Sequence, residues 1–120
     1  MRVWITSLAG LAAVLAGCGI VAPSGKAVYD DNCVTCHGAS AQGDGEFADQ
    51  LLILPPDLTV LAQNNGGTFP RNRVMAVIAG PGRADHFSGA MPEFSTALPR
   101  LGGDAQIEAV VDYLETLQKP

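Results

Sequence analysis

Basic side chains are scarce: 7 lysines and arginines stand against 12 aspartates and glutamates in 120 residues, a formal net charge of −5. That balance excludes a polybasic surface for nucleic acid or anionic lipid, and it favours a charged partner whose own face is positive. Aromatics make up 6% of the chain, and the single tryptophan, Trp4, lies in the leading apolar segment. No internal repeat and no low-complexity segment occurs, which excludes solenoids and arrays. No run alternates apolar and polar residues over the length of a strand, so β-structure has little support. The length suits one domain and is too short for two.

What is present begins with an apolar run. Arg2 is the only charge ahead of residues 3–15, and Leu15, Ala16, Gly17 and Cys18 close the run with small residues and a thiol. This order is that of an export signal, so residues 1–17 are read as a signal peptide outside the fold. The closing tetrad resembles a bacterial lipobox, which implies diacylation of Cys18 as the first mature residue; the alternative is an ordinary secretory signal cut slightly later. The run is too short for a spanning helix of about 20 residues. Acyl chains would anchor the chain instead, at about 0.8 kcal/mol per buried methylene. Residues 18–24 then form a lipidated tether of small, turn-forming residues, and residues 25–120 form the domain. On this reading the protein is exported to the periplasmic or outer-surface side and lipid-anchored to a bacterial membrane. Cys33 and Cys36 are then its only other thiols, in an oxidising compartment.

Helical periodicity is clearest at the end of the chain. Ile107, Val110, Val111, Leu114 and Leu117 recur at three- and four-residue steps, with Asp104 as a candidate cap and Asp112 and Glu115 on the opposite side. A second helix is expected over residues 70–79, with Pro70 in its first turn, Val74, Val77 and Ile78 on one stripe, and Gly80 and Pro81 as a stop. A weaker one is expected over residues 26–33, with Ser24 as cap and Ala27, Val28 and Tyr29 as apolar content. A short helical turn is expected within residues 46–52. Between these lie stretches rich in glycine and proline, at residues 38–45, 55–67 and 80–101. Loops this long in a compact domain need something to pack against, and a few short helices bury too little area to order them unaided. The pattern calls for a large apolar cofactor.

Cys33, Val34, Thr35, Cys36 and His37 have the spacing of covalent haem attachment. Two thiols in one helical turn can each add to a porphyrin vinyl group, and the adjoining histidine can coordinate iron. A zinc site would want four ligands, and only His86 remains to complete the set. A redox dithiol would want a preceding strand and an α/β pattern. A structural disulfide across two residues closes a very small loop and stabilises little. These three readings explain the cysteines but not the long loops, whereas haem explains both.

From residue 25 to residue 117 the sequence resembles the small class I cytochromes c. Gly25 and Tyr29, four apart, are similar to the glycine and aromatic pair by which that family's first helix crosses its last, here near Val110, Tyr113 and Leu114. Gly89, Ala90, Met91 and Pro92 resemble the loop that carries the second axial ligand. The resemblance implies an all-α small cytochrome c fold of about four short helices wrapped around one haem c, bound through Cys33 and Cys36. It implies His37 and Met91 as iron ligands; of the other candidates for the second position, Met75 is read as packing, His86 as the competitor to Met91, and Lys26 and Lys119 as lesser candidates. It also implies that a backbone carbonyl of the Pro55 and Pro56 loop accepts the Nδ1 proton of His37. Arg71, Arg73 and Arg83 are candidates to pair with a haem propionate.

The expected function is one-electron transfer between redox partner proteins, with no small-molecule substrate and no nucleic acid. The alternative is a haem-binding enzyme subunit or gas sensor with a labile sixth ligand.

Overall fold

The computed structural model describes residues 23–80, 83, 89–97 and 103–120. The expected signal peptide, most of the tether, Cys18 and His86 lie outside them. The described part is helical, with no strand among the described residues. Its helices are α1 (Gly25–Asn32), α2 (Val34–His37), α3 (Arg71–Ala79), α4 (Phe94–Ala97) and α5 (Gly103–Thr116). No helix among these residues is long and apolar enough to cross a membrane.

The first helix starts where its cap dictates. Ser24 has extended backbone, and its Oγ accepts a hydrogen bond from the Ala27 N–H at 3.2 Å, which satisfies one of the orphan donors of the first turn. Lys26 and Asp30 pair one turn apart on the exposed side. Val28 and Tyr29 face inward, while Ala27, expected among the apolar content, is exposed. The helix ends at Cys33, whose N–H donates to the Tyr29 carbonyl at 2.8 Å.

α5 carries the longest apolar stripe. Ile107, Val110, Val111 and Leu114 are buried, as the periodicity predicts, and Gln106 is buried beside them. Asp104 lies inside the first turn, because the helix already begins at Gly103. It is therefore not a cap, although its carboxylate still suits the positive end of the helix. Leu117 falls just beyond the last turn and packs half-buried against the core. In α3, Val74 and Ile78 are buried and Val77 is half-buried; Pro70 precedes the first turn rather than joining it.

The core forms where α1 and α3 meet α5. Val28 and Tyr29 of α1, Val74 and Ile78 of α3, Phe94 of α4 and the α5 stripe make one buried cluster, with Ala41 from the loop. Gly25 sets how closely α1 approaches: a Cβ there would overlap the Ala109 carbonyl oxygen and crowd the Tyr113 Cβ. The Tyr29 and Tyr113 rings meet at 5.6 Å with their planes tilted by 58°, an edge-to-face arrangement that adds to burial.

The loops are ordered partly by the chain's own end, which the sequence reading did not anticipate. Short 3₁₀ turns occupy Ala48–Gln50, Leu58–Val60 and Gln63–Asn65; the first lies within the turn expected over residues 46–52. Gln118 Nε2 donates to the Leu58 carbonyl at 2.8 Å, and its Oε1 accepts from the Ala62 N–H at 2.9 Å. The Lys119 N–H donates to the Thr59 carbonyl at 2.8 Å. Residues after α5 thus hold the loop that follows the two prolines.

Candidate functional site

The cysteine pair sits at a junction of helices. Cys33 closes α1 and opens α2, with φ −119° and ψ −33°. The Cys36 N–H donates to the Cys33 carbonyl at 3.2 Å and the His37 N–H to the same carbonyl at 2.9 Å. Both thiols therefore lie on one turn, as the spacing predicts, and both are unbonded. Burial, with Cys36 beside it, pushes the Cys33 thiol up to about 12. Among the described residues no three His, Cys, Asp or Glu side chains converge to hold a metal ion, so a zinc ligand set of that kind is not assembled.

The loop after the motif folds back onto it. The Gly43 N–H donates to the His37 carbonyl at 2.9 Å, Gly45 to Cys36 at 3.2 Å and Phe47 to Thr35 at 3.0 Å. Gly43 has φ +81°, and a Cβ there would overlap the Pro55 carbonyl oxygen. A glycine is required at that point for both reasons, and its place brings the two prolines against the motif.

His37 is half-buried, and its Nδ1 is fully buried without a hydrogen bond of good geometry. Burial lowers its pKa, against a smaller opposing effect of the Pro56 backbone carbonyl. The expected hydrogen bond from His37 Nδ1 to a carbonyl of the Pro55 and Pro56 loop is thus not formed in this structure, although the Pro56 backbone acts on the ring. The neutral imidazole is the form that ligates metal.

An apolar cleft opens beside Cys33. Val28 and Asn32 of α1, Ile78 of α3, Phe94 of α4, and Ile107 and Val110 of α5 line it with Cys33. Most of these were legible as inward positions on helical stripes, but Phe94 was missed; its only signal is an aromatic three residues after Met91. Met91 is half-buried and packs against the core cluster, as does Met75 of α3.

The basic residues have local partners. Arg71 pairs with Asp112 at 2.5 Å and Glu115 at 3.4 Å on α5, and Lys119 lies 3.4 Å from Asp57. Arg83 donates to three main-chain carbonyls, those of Val77, Met91 and Pro92. Arg73 is exposed. Between Lys26 and Arg71 the chain has no lysine or arginine, while Asp30, Asp31, Asp44, Glu46, Asp49 and Asp57 all fall there.

These residues fit a covalently held porphyrin. Two unbonded thiols share a turn, an imidazole with an orphaned buried Nδ1 adjoins them, and a small apolar hollow begins at the first thiol. An all-α domain built around that turn has the architecture of a c-type cytochrome. The cytochrome c family model matches residues 22–118, and the chain belongs to that family. No match was found among curated proteins or among solved structures. Family membership makes haem c, attached through cysteine, the cofactor, and electron transfer rather than catalysis on a substrate the general role.

Proposed function

We propose that the chain is a monohaem c-type cytochrome that carries one electron at a time outside the cytoplasm, held to a membrane by lipid on Cys18. The observation that carries the reading is the turn itself: Cys33, Cys36 and a His37 whose Nδ1 is buried in the neighbourhood of the Pro56 carbonyl. In this reading Cys33 and Cys36 would hold the haem through thioether links, and His37 and Met91 would supply the two donors to its iron. When bound, the haem supplies a one-electron iron couple whose potential a thioether donor raises. The Pro55 and Pro56 loop orients the His37 ring through its backbone, as outer partners of metal-bound histidines do. Val28, Ile78, Phe94 and Val110 exclude water from the site. A redox partner protein would make a small, short-lived contact with the chain, and His37 and Met91 would hold the metal unchanged through the exchange.

An absorption spectrum of the holoprotein, oxidised and reduced, tests this. The pyridine haemochrome should report two thioether links, and the ferric protein should show the sulfur-to-iron charge-transfer band. Met91→Ala should abolish that band while leaving the haemochrome unchanged; a band that survives the substitution overturns the axial assignment. Rapid, complete binding of carbon monoxide to the reduced wild type would favour a labile-ligand protein instead. The anchor is tested separately: Cys18→Ser should move the exported protein from the membrane fraction to the soluble one, and an unmoved protein overturns lipidation at that residue.

A further inference from the structure

One side chain reaches from the end of α3 to the main chain of the segment that carries Met91. Arg83 Nε donates to the Val77 carbonyl at 2.8 Å, Nη1 to the Met91 carbonyl at 2.6 Å, and Nη2 to the Pro92 carbonyl at 2.6 Å. Val77 belongs to the last turn of α3, where carbonyls have no helical N–H ahead of them, and a cation there is also favoured by the helix dipole. The guanidinium offers its donors in a rigid planar fork. Two consecutive carbonyls of the Met91 segment are thereby fixed relative to the end of a core helix. Gly80 makes the approach possible: it caps α3 with φ +107°, and a Cβ there would overlap the Glu93 side chain. On the far side of the fork, Phe94 is buried in the core.

We propose that Arg83 is a positioning residue for the sixth iron ligand. By tying the main chain of Met91 and Pro92 to α3, it keeps the Met91 side chain presented to the metal, a role different from pairing with a propionate. The inference rests on the reading of Met91 as an axial donor. Without the fork, the Met91 segment retains its apolar contacts but loses its link to the helix end, so an exogenous ligand competes better for the same position.

The test compares holoproteins: wild type, Arg83→Gln, Arg83→Lys, and Lys26→Gln as a control on the exposed side of α1. The readouts are the sulfur-to-iron band of the ferric protein and the affinity for imidazole, a competitor for the sixth position. All four proteins should give the same pyridine haemochrome. Arg83→Gln should weaken the band and bind imidazole about tenfold more tightly, a factor equivalent to about 1.4 kcal/mol. Arg83→Lys keeps the charge without the fork and should fall between, and Lys26→Gln should match wild type. An Arg83→Gln protein with wild-type band and wild-type imidazole affinity overturns the proposal, whether or not its potential shifts; a shifted potential alone is the signature of a lost propionate partner. Should Arg83→Gln fail to accumulate, Arg83→Lys decides, and wild-type imidazole affinity in that variant overturns the proposal. A wild type with no sulfur-to-iron band overturns the Met91 reading itself and this inference with it, so the two failures are distinct.

Discussion

Tyr29 is 1% exposed, and its hydroxyl donates to the Gly38 carbonyl at 2.7 Å, across the haem-attachment turn. Gly38 caps α2 with φ +82°, so this one bond connects the first helix to the exit of the motif. Removing it leaves the Gly38 carbonyl with the Ala41 N–H, at 3.1 Å, as its remaining donor. Tyr29→Phe should therefore lower the stability of the holoprotein by about 0.5–1.5 kcal/mol in denaturant titrations at neutral pH, the net worth of one hydrogen bond. Burial is the main reason that the Tyr29 pKa stands well above its ordinary value of 10.0. Because folding raises it, the contribution is fully present below the unfolded value and is lost as pH rises through the folded one. Wild type should thus lose stability on titration above about pH 10, and Tyr29→Phe should lose less over the same range. Cys33, Cys36, His37 and Tyr29 were all legible in the sequence, because their chemistry or size admits few roles at that spacing. Arg83 was not legible: its partners are main-chain carbonyls, which every residue possesses and no residue type advertises.

α3 and α5 were legible because each repeats its apolar positions for two turns or more, and α1 because Ser24 marks its start. Ser24 capped α1 as expected, whereas Asp104 entered the first turn of α5, a shift of the kind that helix ends commonly show. Helices α2 and α4 each span four residues, too short for any period to register. The loop after the prolines was read as dependent on a cofactor, yet the residues beyond α5 support it directly. Gln118 is central there, with Nε2 donating to the Leu58 and Leu114 carbonyls at 2.8 Å each and Oε1 accepting from the Ala62 N–H at 2.9 Å. Nothing in a lone glutamine near a terminus signals such a task. Gln118→Ala should cost about 1–3 kcal/mol and raise hydrogen exchange at the Ala62 amide, with α1 amides unaffected at the same protein concentration. Equal protection at Ala62 in both proteins would show that the loop holds itself.

Charge is distributed unevenly over the molecule as a whole. Between Lys26 and Arg71 the chain contains the attachment turn and six acidic residues but no lysine or arginine, a bias of the kind that steers encounters with a positively charged partner. Electron exchange with a lysine-rich c-type cytochrome, followed by stopped flow, should slow by about tenfold as salt is raised from low to physiological strength. An acidic redox protein should show the opposite trend, and indifference to salt in both cases would rule out steering. The pairing of α1 with α5 bears on assembly in time. Gly25 closes against Ala109 and Tyr113, more than eighty positions apart in the sequence, so the core cannot shut until the last helix has been made. Until then the two thiols sit on an open chain. Closure by the final helix then packs the start of their turn, Cys33, against the core.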